Sequence, residues 1–153
     1  CKDTKIKRKQ KVCLPLQHKL ISNKKDMKKV IVTSGAPKAI GPYSQGIKAN
    51  GFVFVSGQLP IDPESGKIEA DDITRQTDQV LKNVKSVLAA AGCTLDDVVK
   101  TTVFLSDIAN FAAMNEVYKL YFTGNFPARS AFATKDLPLG ALVEIETIAA
   151  VNE

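Results

Sequence analysis

The sequence has no tryptophan, three cysteines and a single histidine, and these shortages exclude several kinds of functional site. Cys1, Cys13 and His18 lie within the first 26 residues, so Cys93 is the only thiol of the remaining chain. This spacing forms no disulfide framework and is typical of a protein from a reducing compartment. Beyond residue 26, a nucleophile activated by histidine is excluded and a zinc centre is not predicted.

Long apolar runs and a basic surface are also missing from most of the chain. No run is long enough to cross a bilayer, and 153 residues are enough for one domain. Residues 1–26 hold nine Lys or Arg against two Asp, whereas residues 27–153 hold twelve against fourteen Asp or Glu. The basic character is therefore confined to the first segment. For residues 27–153 we expect neither a membrane nor a nucleic acid as a partner.

The basic first segment, residues 1–26, has no hydrophobic period, and its least polar stretch is interrupted by Pro15 and Lys19. It therefore lacks the apolar run of a secretory signal. We predict that it is a disordered or non-native extension and that residues 27–153 form one cytoplasmic domain. The alternative is a mitochondrial transit peptide, which the scarcity of acidic residues favours and the few Arg and Ser residues oppose.

Hydrophobic periodicity predicts six strands and two helices in the order β-β-β-α-β-α-β-β. Asn50-Gly51 is a hairpin signal between the second and third strands, because both residues accept a positive φ angle. Asp71 or Asp72 would cap the first helix and Asp107 the second. The predicted strands are residues 29–33, 46–49, 52–58, 98–105, 130–133 and 142–151. This order predicts an α+β fold in which both helices cover one face of a mixed sheet and oligomerisation covers the other.

Arg129 is one of two arginines beyond residue 26, and it follows Phe-Pro-Ala (126–128) in a predicted loop before a strand. A guanidinium group can hold a carboxylate through two parallel charge-assisted hydrogen bonds. The alternative is a structural ion pair with Glu144 or Glu146. These two glutamates alternate with apolar residues and point to the same strand face. There they are either solvated or, if one is buried, supply a proton acceptor.

Four further residues are candidates for a binding pocket. Tyr43 follows Gly-Pro, which fixes the backbone and presents the ring, although core packing is the common role of a lone tyrosine. Ser56 and Gly57 end a predicted strand, where a glycine lets a ligand approach the backbone. Asn115 falls on the second predicted helix, where an exposed amide carries no information. None of these residues is specific on its own.

Taken together, five segments of the chain resemble the Rid/YjgF family in their order and spacing. They extend over essentially all of residues 27–151. The segments are IGPYSQG (40–46), VSGQLPIDPESG (55–66), AAGCTLDDVVKTTVFL (90–105), NFPARSAF (125–132) and VEIETIA (143–149). The resemblance implies a chorismate-mutase-like α+β protomer and a homotrimeric barrel with clefts between neighbouring protomers.

The resemblance also implies an activity: hydrolysis of small imine and enamine carboxylates, such as 2-aminoacrylate, 2-iminopropanoate and 2-iminobutanoate, to 2-ketoacids and ammonia. Pyridoxal-phosphate enzymes release these reactive compounds and are protected by their removal. By motif position, Arg129 would hold the substrate carboxylate and Glu146 would activate the attacking water. The other implied residues are Tyr43 at the catalytic centre and Ser56, Gly57 and Asn115 in the substrate pocket. No metal or cofactor is implied, because an imine carbon is already electrophilic.

Ala131 is a departure from the family pattern, since many bacterial members carry a cysteine two residues after the arginine. A cysteine-dependent mechanism at that position is excluded. Two other functions described for family members stay open as alternatives, a translation inhibitor with ribonuclease activity and a non-catalytic, holdase-like trimer. The acidic folded part and its lack of histidine oppose general acid–base cleavage of RNA.

Overall fold

The computed structural model describes residues 27–151, so the predictions made for residues 1–26 lie outside the described part of the chain. Six strands and two helices follow one another in the predicted order. They are β1 (Lys29–Ile31), β2 (Gly46–Ala49), β3 (Phe52–Gln58), α1 (Ile73–Ala90), β4 (Val98–Leu105), α2 (Phe111–Tyr121), β5 (Ala128–Ala133) and β6 (Val143–Ala150). Neither helix has the length and hydrophobicity of a membrane-spanning segment.

All six strands form one mixed sheet in the order β1-β2-β3-β6-β4-β5. The pair β4 and β5 is parallel, and the other neighbouring pairs are antiparallel. The predicted hairpin is confirmed, since Asn50 and Gly51 join β2 to β3 with φ angles of 47° and 75°, the positive values that a type I′ turn requires. The last strand, β6, lies in the middle of the sheet, where it can bring side chains beside both β3 and β4.

Both helices pack on one face of the sheet, which confirms the predicted α+β arrangement. Val143 and Ile145 of β6 and Val103 of β4 are fully buried beneath them. Asp72 caps α1 by accepting a 2.8 Å hydrogen bond from the backbone N–H of Arg75. The buried apolar stripe of α1 consists of Val80, Leu81, Val84, Val87 and Leu88.

The opposite side of the sheet, here called the helix-free face, carries large apolar side chains that nothing in the described chain covers. Phe52, Phe54 and Phe132 keep 42%, 45% and 45% of their surface exposed. Phe54 pairs with Ile148 on the side of β6 that also presents Glu146. Exposed aromatic surface of this extent indicates an interaction site, as expected if another protein layer covers this face.

One boundary matters for the candidate site, because it changes the position of Arg129. We predicted that the fifth strand begins at Ser130 and that Arg129 lies in the preceding loop. The loop placement is wrong, since β5 begins at Ala128 and Arg129 is its second residue. The physical reason is the parallel ladder with β4, in which Lys100 already pairs with Ala128.

Two other boundaries also differ from the prediction. β1 ends at Ile31 because its partner β2 begins at Gly46, which leaves no further residue to pair with. Asp107 does not cap α2 directly. It accepts a 2.9 Å hydrogen bond from the N–H of Ala109 and so caps a short 3-10 turn, Ile108–Asn110, that leads into α2.

Candidate active site

Arg129 lies on the edge strand β5, and its place in the ladder decides where its side chain points. Its partner on β4 is Thr101, which is fully buried beneath α2. Because paired residues of adjacent strands project to the same face, Arg129 also projects toward α2. There its Nη1 donates a 2.7 Å hydrogen bond to Oδ1 of Asn115. Two of the predicted site residues, Arg129 and Asn115, are thus brought together.

Two aromatic rings of α2 lie against the guanidinium group of Arg129. Its central carbon is 4.7 Å from the ring centre of Tyr118 and 5.5 Å from that of Phe111. Both distances are within the range of about 6 Å in which a ring face attracts a cation. Phe111, Asn115 and Tyr118 share one face of α2 because of their helical spacing. The single bond to Asn115 leaves most N–H donors of Arg129 for a ligand.

The ion-pair alternative for Arg129 is wrong within the described chain. No carboxylate oxygen among the residues that the structure describes lies within 4.0 Å of its guanidinium nitrogens. Glu144 and Glu146 pair with Phe104 and Thr102 of β4 and therefore project from the helix-free face. An arginine without an anionic partner is suited to binding an anionic ligand.

A cleft of about 470 Å³, here called the arginine cleft, lies in front of Arg129. Lys119, a second cation of the cleft, is engaged in an ion pair with Glu116 along α2. Arg129 is therefore the planar donor that this cleft presents on an apolar floor, an arrangement that suits a small carboxylate. The residues that line the cleft besides Arg129 are Asn115, Glu116, Tyr118, Lys119, Phe126 and Pro127.

A second group of candidate residues surrounds Glu144, to which the family resemblance gave no role. β3 shifts its register against β6 between Val55 and Gln58. At this bulge Gly57 approaches Glu144 so closely that a Cβ atom on Gly57 would lie 1.9 Å from Oε1 of Glu144. The missing side chain of Gly57 therefore leaves room for the Glu144 carboxylate, since glycine permits the close approach of another group.

The two glutamates of β6 have different surroundings. Glu144 is half-buried, whereas Glu146 is exposed. Burial raises the pKa of the Glu144 carboxyl, and the negative charge of Glu146 raises this pKa further. A partly desolvated carboxylate with a raised pKa is a better proton acceptor than an ordinary surface glutamate. The structure therefore favours Glu144 over Glu146 as the base, while Glu146 has the solvated surroundings of the alternative interpretation.

Tyr43 lies near Gly57 and does not belong to the core, since 49% of its surface is exposed. The core-packing alternative for this tyrosine is therefore wrong. Both residues line a cavity of about 320 Å³, here called the tyrosine cavity, with Gln58 and Leu139 on its wall. Tyr43 and Gly57 are thus brought to one cavity, as predicted residues of one site.

Ser56 has a structural task close to this cavity. Its hydroxyl donates a 2.6 Å hydrogen bond to the carbonyl of Ser44, and its backbone N–H donates a 3.0 Å bond to the carbonyl of Gln45. Both acceptors belong to the loop that carries Tyr43. Ser56 therefore fastens this loop to β3, and its role in a substrate pocket stays a prediction.

The candidate residues thus form two groups that one chain does not bring together. Arg129 and Asn115 lie at the arginine cleft, on the helix-covered side of β5. The second group lies around β3 and β6 and consists of Tyr43, Gly57 and Glu144. In the sheet, β4 lies between β6 and β5. Among the described residues no group of His, Cys, Asp or Glu is arranged to hold a metal ion.

No sequence feature assigned Tyr118 or Phe111 to the candidate site. Their spacing with Asn115 places all three on one helix face, and this signal is visible in the sequence. The missing information was the parallel pairing of β5 with β4, which places Arg129 beside that helix face. Without the pairing, nothing connects the aromatic residues with the arginine.

Known proteins share this architecture over most of the chain. Residues 33–151 match the family model described as endoribonuclease L-PSP. A crystal structure from Yersinia pestis, described as a protein of unknown function of the conserved Rid family, superposes with a TM-score of 0.79 at 54% identity. The superposition covers 81% of this chain and 99% of the Yersinia pestis chain. The chain belongs to the Rid/YjgF family.

Two Rid relatives cover the same part of the chain. A RutC family protein of Pyrococcus horikoshii is 56% identical over 123 residues, which are 80% of this chain and 98% of the relative. The 2-iminobutanoate/2-iminopropanoate deaminase of Mus musculus is 47% identical over 123 residues, which are 80% of this chain and 91% of the relative. The Rid domain therefore accounts for nearly all of the residues that the structure describes.

Proposed function

We propose that this Rid protein hydrolyses 2-iminopropanoate, 2-iminobutanoate and the enamine 2-aminoacrylate to 2-ketoacids and ammonia. The observation that carries the proposal is the guanidinium group of Arg129, which faces a cleft and has no carboxylate partner in the described chain. Each proposed substrate has a carboxylate beside its reactive carbon. The name of the mouse relative, a deaminase of two of these compounds, supports the same substrate class.

The proposed reaction requires little from the protein. 2-Aminoacrylate first becomes 2-iminopropanoate, as a proton leaves its nitrogen and another adds to its terminal carbon. Water then adds to the electrophilic imine carbon, and the carbinolamine that forms loses ammonia and leaves a keto group. Arg129 would bind the substrate carboxylate through two parallel hydrogen bonds and thereby fix the imine carbon. A glutamate would accept a proton from the attacking water and return it to the leaving nitrogen. We propose no metal or cofactor, because the reaction needs only an anion clamp and a proton relay.

Sequence and structure favour different glutamates as the proton acceptor. By motif position, Glu146 would activate the attacking water. Burial, the raised pKa and the contact with Gly57 all favour Glu144. We therefore propose Glu144 as the proton acceptor and keep Glu146 as the second candidate. Tyr43, which shares the tyrosine cavity with Gly57, is proposed to orient the substrate at the same centre.

A complete site then requires a second copy of the chain. Arg129 and Glu144 project from opposite faces of one sheet, so one protomer cannot direct both at one substrate. We propose a homotrimer in which the arginine cleft of one protomer meets the tyrosine cavity of the next. The exposed phenylalanines of the helix-free face support this assembly, because another protomer can bury them.

Two other functions and the cellular location remain at the level of hypotheses. The family model carries the name of an endoribonuclease, but residues 27–153 contain no histidine and have an acidic charge balance, which opposes RNA cleavage by general acid–base chemistry. A holdase-like trimer would leave the unpaired Arg129 unexplained. We propose the cytoplasm as the location because Cys93 is a lone free thiol among the described residues. The mitochondrial alternative depends on residues 1–26.

Ammonia release tests the proposal. 2-Aminoacrylate is generated from serine by a pyridoxal-phosphate dehydratase, and ammonia formation is followed with and without the full chain. We expect the chain to accelerate release above spontaneous hydrolysis, and Arg129→Lys to raise KM, because lysine lacks the planar fork. Arg75→Lys, the matched change at an exposed arginine of α1, should retain activity. Cleavage of RNA without any acceleration of ammonia release would overturn the proposal.

A further inference from the structure

We propose that Tyr118 is a positioning residue for the carboxylate clamp, and that its ring fixes the plane of the Arg129 guanidinium. This inference rests on the proposed function, because it concerns how the substrate carboxylate is held. Tyr118 has no polar contact that directs it at a substrate. Its proposed effect is on Arg129, which would otherwise be a long and flexible side chain at the edge of the sheet.

The guanidinium group of Arg129 is held by three contacts. Its carbon lies 4.7 Å from the ring centre of Tyr118 and 5.5 Å from that of Phe111, so the group lies against two rings. The bond from Nη1 to Asn115 restrains its edge. All three contacts come from one face of α2, and Arg129 also lines the arginine cleft.

Tyr118 is itself held firmly by two neighbouring side chains. Its side chain is buried, and its hydroxyl shares a buried 2.8 Å hydrogen bond with the hydroxyl of Thr101. Its ring also packs against Phe122, with ring centres 4.5 Å apart. A firmly held ring can restrain the cation that rests on it, whereas a mobile ring cannot.

Thr101 is connected to Arg129 in two ways. It is the ladder partner of Arg129 on β4. Its hydroxyl also anchors Tyr118, whose ring lies against the Arg129 guanidinium. Burial raises the pKa of the Tyr118 phenol, which keeps the ring neutral at physiological pH. The contact is thus between a cation and a ring face, as cation–π attraction requires.

The test compares substitutions of Tyr118 in the full chain. Tyr118→Leu should raise KM for 2-iminopropanoate about 3- to 10-fold, the loss expected for one cation–π contact, with a smaller change in kcat. The inhibition constant of pyruvate, the stable carboxylate product, should rise by the same factor. Tyr118→Phe retains the ring and its packing against Phe122 but loses the bond to Thr101, so both values should lie within about twofold of wild type. If Tyr118→Phe raises KM as much as Tyr118→Leu does, the proposal is overturned.

A matched control separates positioning from general damage to the core. Leu88→Ala removes a fully buried side chain of α1 that has no part in the cation–π contacts with Arg129. It should lower Tm as Tyr118→Leu does and leave KM unchanged. In an Arg129→Lys background, Tyr118→Leu should cause little further rise in KM, because the fork that it positions is already lost. Full additivity of the two changes would contradict the proposal.

The outcomes distinguish this inference from the proposed function. If the wild-type chain releases no ammonia above the spontaneous rate, the proposed function fails. If Arg129→Lys raises KM and Tyr118→Leu does not, only the positioning role fails. If Tyr118→Leu does not fold, Tyr118→Met decides, since the longer, flexible side chain fills more of the space of the ring but offers no ring face to the cation. That change should raise KM about 2- to 5-fold, and an unchanged KM would overturn the proposal.

Discussion

Glu144 and Glu146 lie two residues apart on β6 and point the same way, yet the backbone beside them differs. Gly57 has no side chain, so the Glu144 carboxylate can lie close to its backbone, and Glu144 is half-buried whereas Glu146 is exposed. Alternation along the strand was enough to predict that both glutamates share one face. It could not distinguish them, because the register shift of β3 that brings Gly57 against Glu144 has no sequence signal. The anion-binding role proposed for Arg129 follows from the residue type and its motif.

The first prediction compares the two glutamates. Glu144→Gln keeps the shape of the side chain and removes the proton acceptor, so kcat should fall about 100- to 10,000-fold. Glu146→Gln should retain most activity, and it serves as the matched control. Steady-state ammonia release measures both. If Glu146→Gln is the inactive variant, the role returns to Glu146. If both variants behave alike, neither assignment holds.

The same pair of variants carries a prediction about pH. Activity requires the ionised form of Glu144, so it should rise with pH through the raised pKa of this carboxyl. Glu146→Gln removes one of the two causes of that raised pKa, the neighbouring negative charge. The acidic limb of the profile of kcat/KM against pH should therefore move to lower pH in Glu146→Gln. A limb that stays in place would show that another group controls the activity.

Gly57→Ala provides the third prediction. A Cβ atom at this position would overlap the carboxylate of Glu144, whose flexible end can swing away with little disturbance of the backbone. We expect Tm to change little and kcat to fall at least about tenfold, because a misplaced base transfers protons poorly. Gly66→Ala is not a suitable control because of its positive φ angle, whereas Gly124→Ala meets no atom within 4 Å. Equal activity of Gly57→Ala and Gly124→Ala would contradict this role of Gly57.

Among the elements, α2 has the most direct connection with function, because it presents Asn115 and Tyr118 to Arg129. It is fastened to α1 by the hydroxyl of Tyr121, which donates a 2.5 Å hydrogen bond to Asp78. Lys82 forms an ion pair with the other carboxylate oxygen at 2.7 Å. Burial alone would raise the pKa of Asp78, but the hydrogen bonds from Lys82 and Tyr121 and the charge of Lys82 lower it overall.

Tyr121→Phe tests this connection between the helices. It removes a hydrogen bond to a charged group and should lower the free energy of unfolding by about 1–2 kcal/mol at pH 7. Because the pKa of Asp78 is lowered by folding, its stabilising effect is present above the ordinary carboxyl range and is lost as pH falls below it. The difference between wild type and variant should therefore shrink in acid. Urea unfolding at pH 7 and pH 3 measures it, and a constant difference would contradict the account.

The order of elements and the β2–β3 hairpin were predictable because each depends on local sequence. Asn50-Gly51 specifies its turn, and periods of two and of 3–4 residues separate strands from helices. The start of β5 was not predictable, since the pairing of Ala128 with Lys100 is a contact between distant segments. The same pairing placed Arg129 under α2 and against Tyr118. The part of the site that sequence could not reveal therefore depends on long-range pairing.

At the scale of the whole molecule, the exposed aromatic side chains of the helix-free face indicate a partner. The full chain should form a trimer, and light scattering after size exclusion should give three times the mass of the 153-residue chain, which is 16.5 kDa. Phe54→Asp places a charge on this face, where a buried carboxylate without a partner is costly, and should weaken the assembly. Glu64→Ala, at an exposed turn, is the control. A stable wild-type monomer at micromolar concentration would contradict the shared site.

The central claim is that Arg129 of one protomer and Glu144 of another act on one substrate, and subunit mixing tests it most directly. Arg129→Lys and Glu144→Gln chains are unfolded together in equal amounts and refolded, with each variant treated alone as the control. Ammonia release is measured at a substrate concentration well below the wild-type KM, where the raised KM of Arg129→Lys appears as lost activity. A site between protomers needs one intact residue from each neighbour. Random mixing should therefore restore about one quarter of the wild-type activity that the separate variants lack. No recovery above the separately refolded variants would contradict the account.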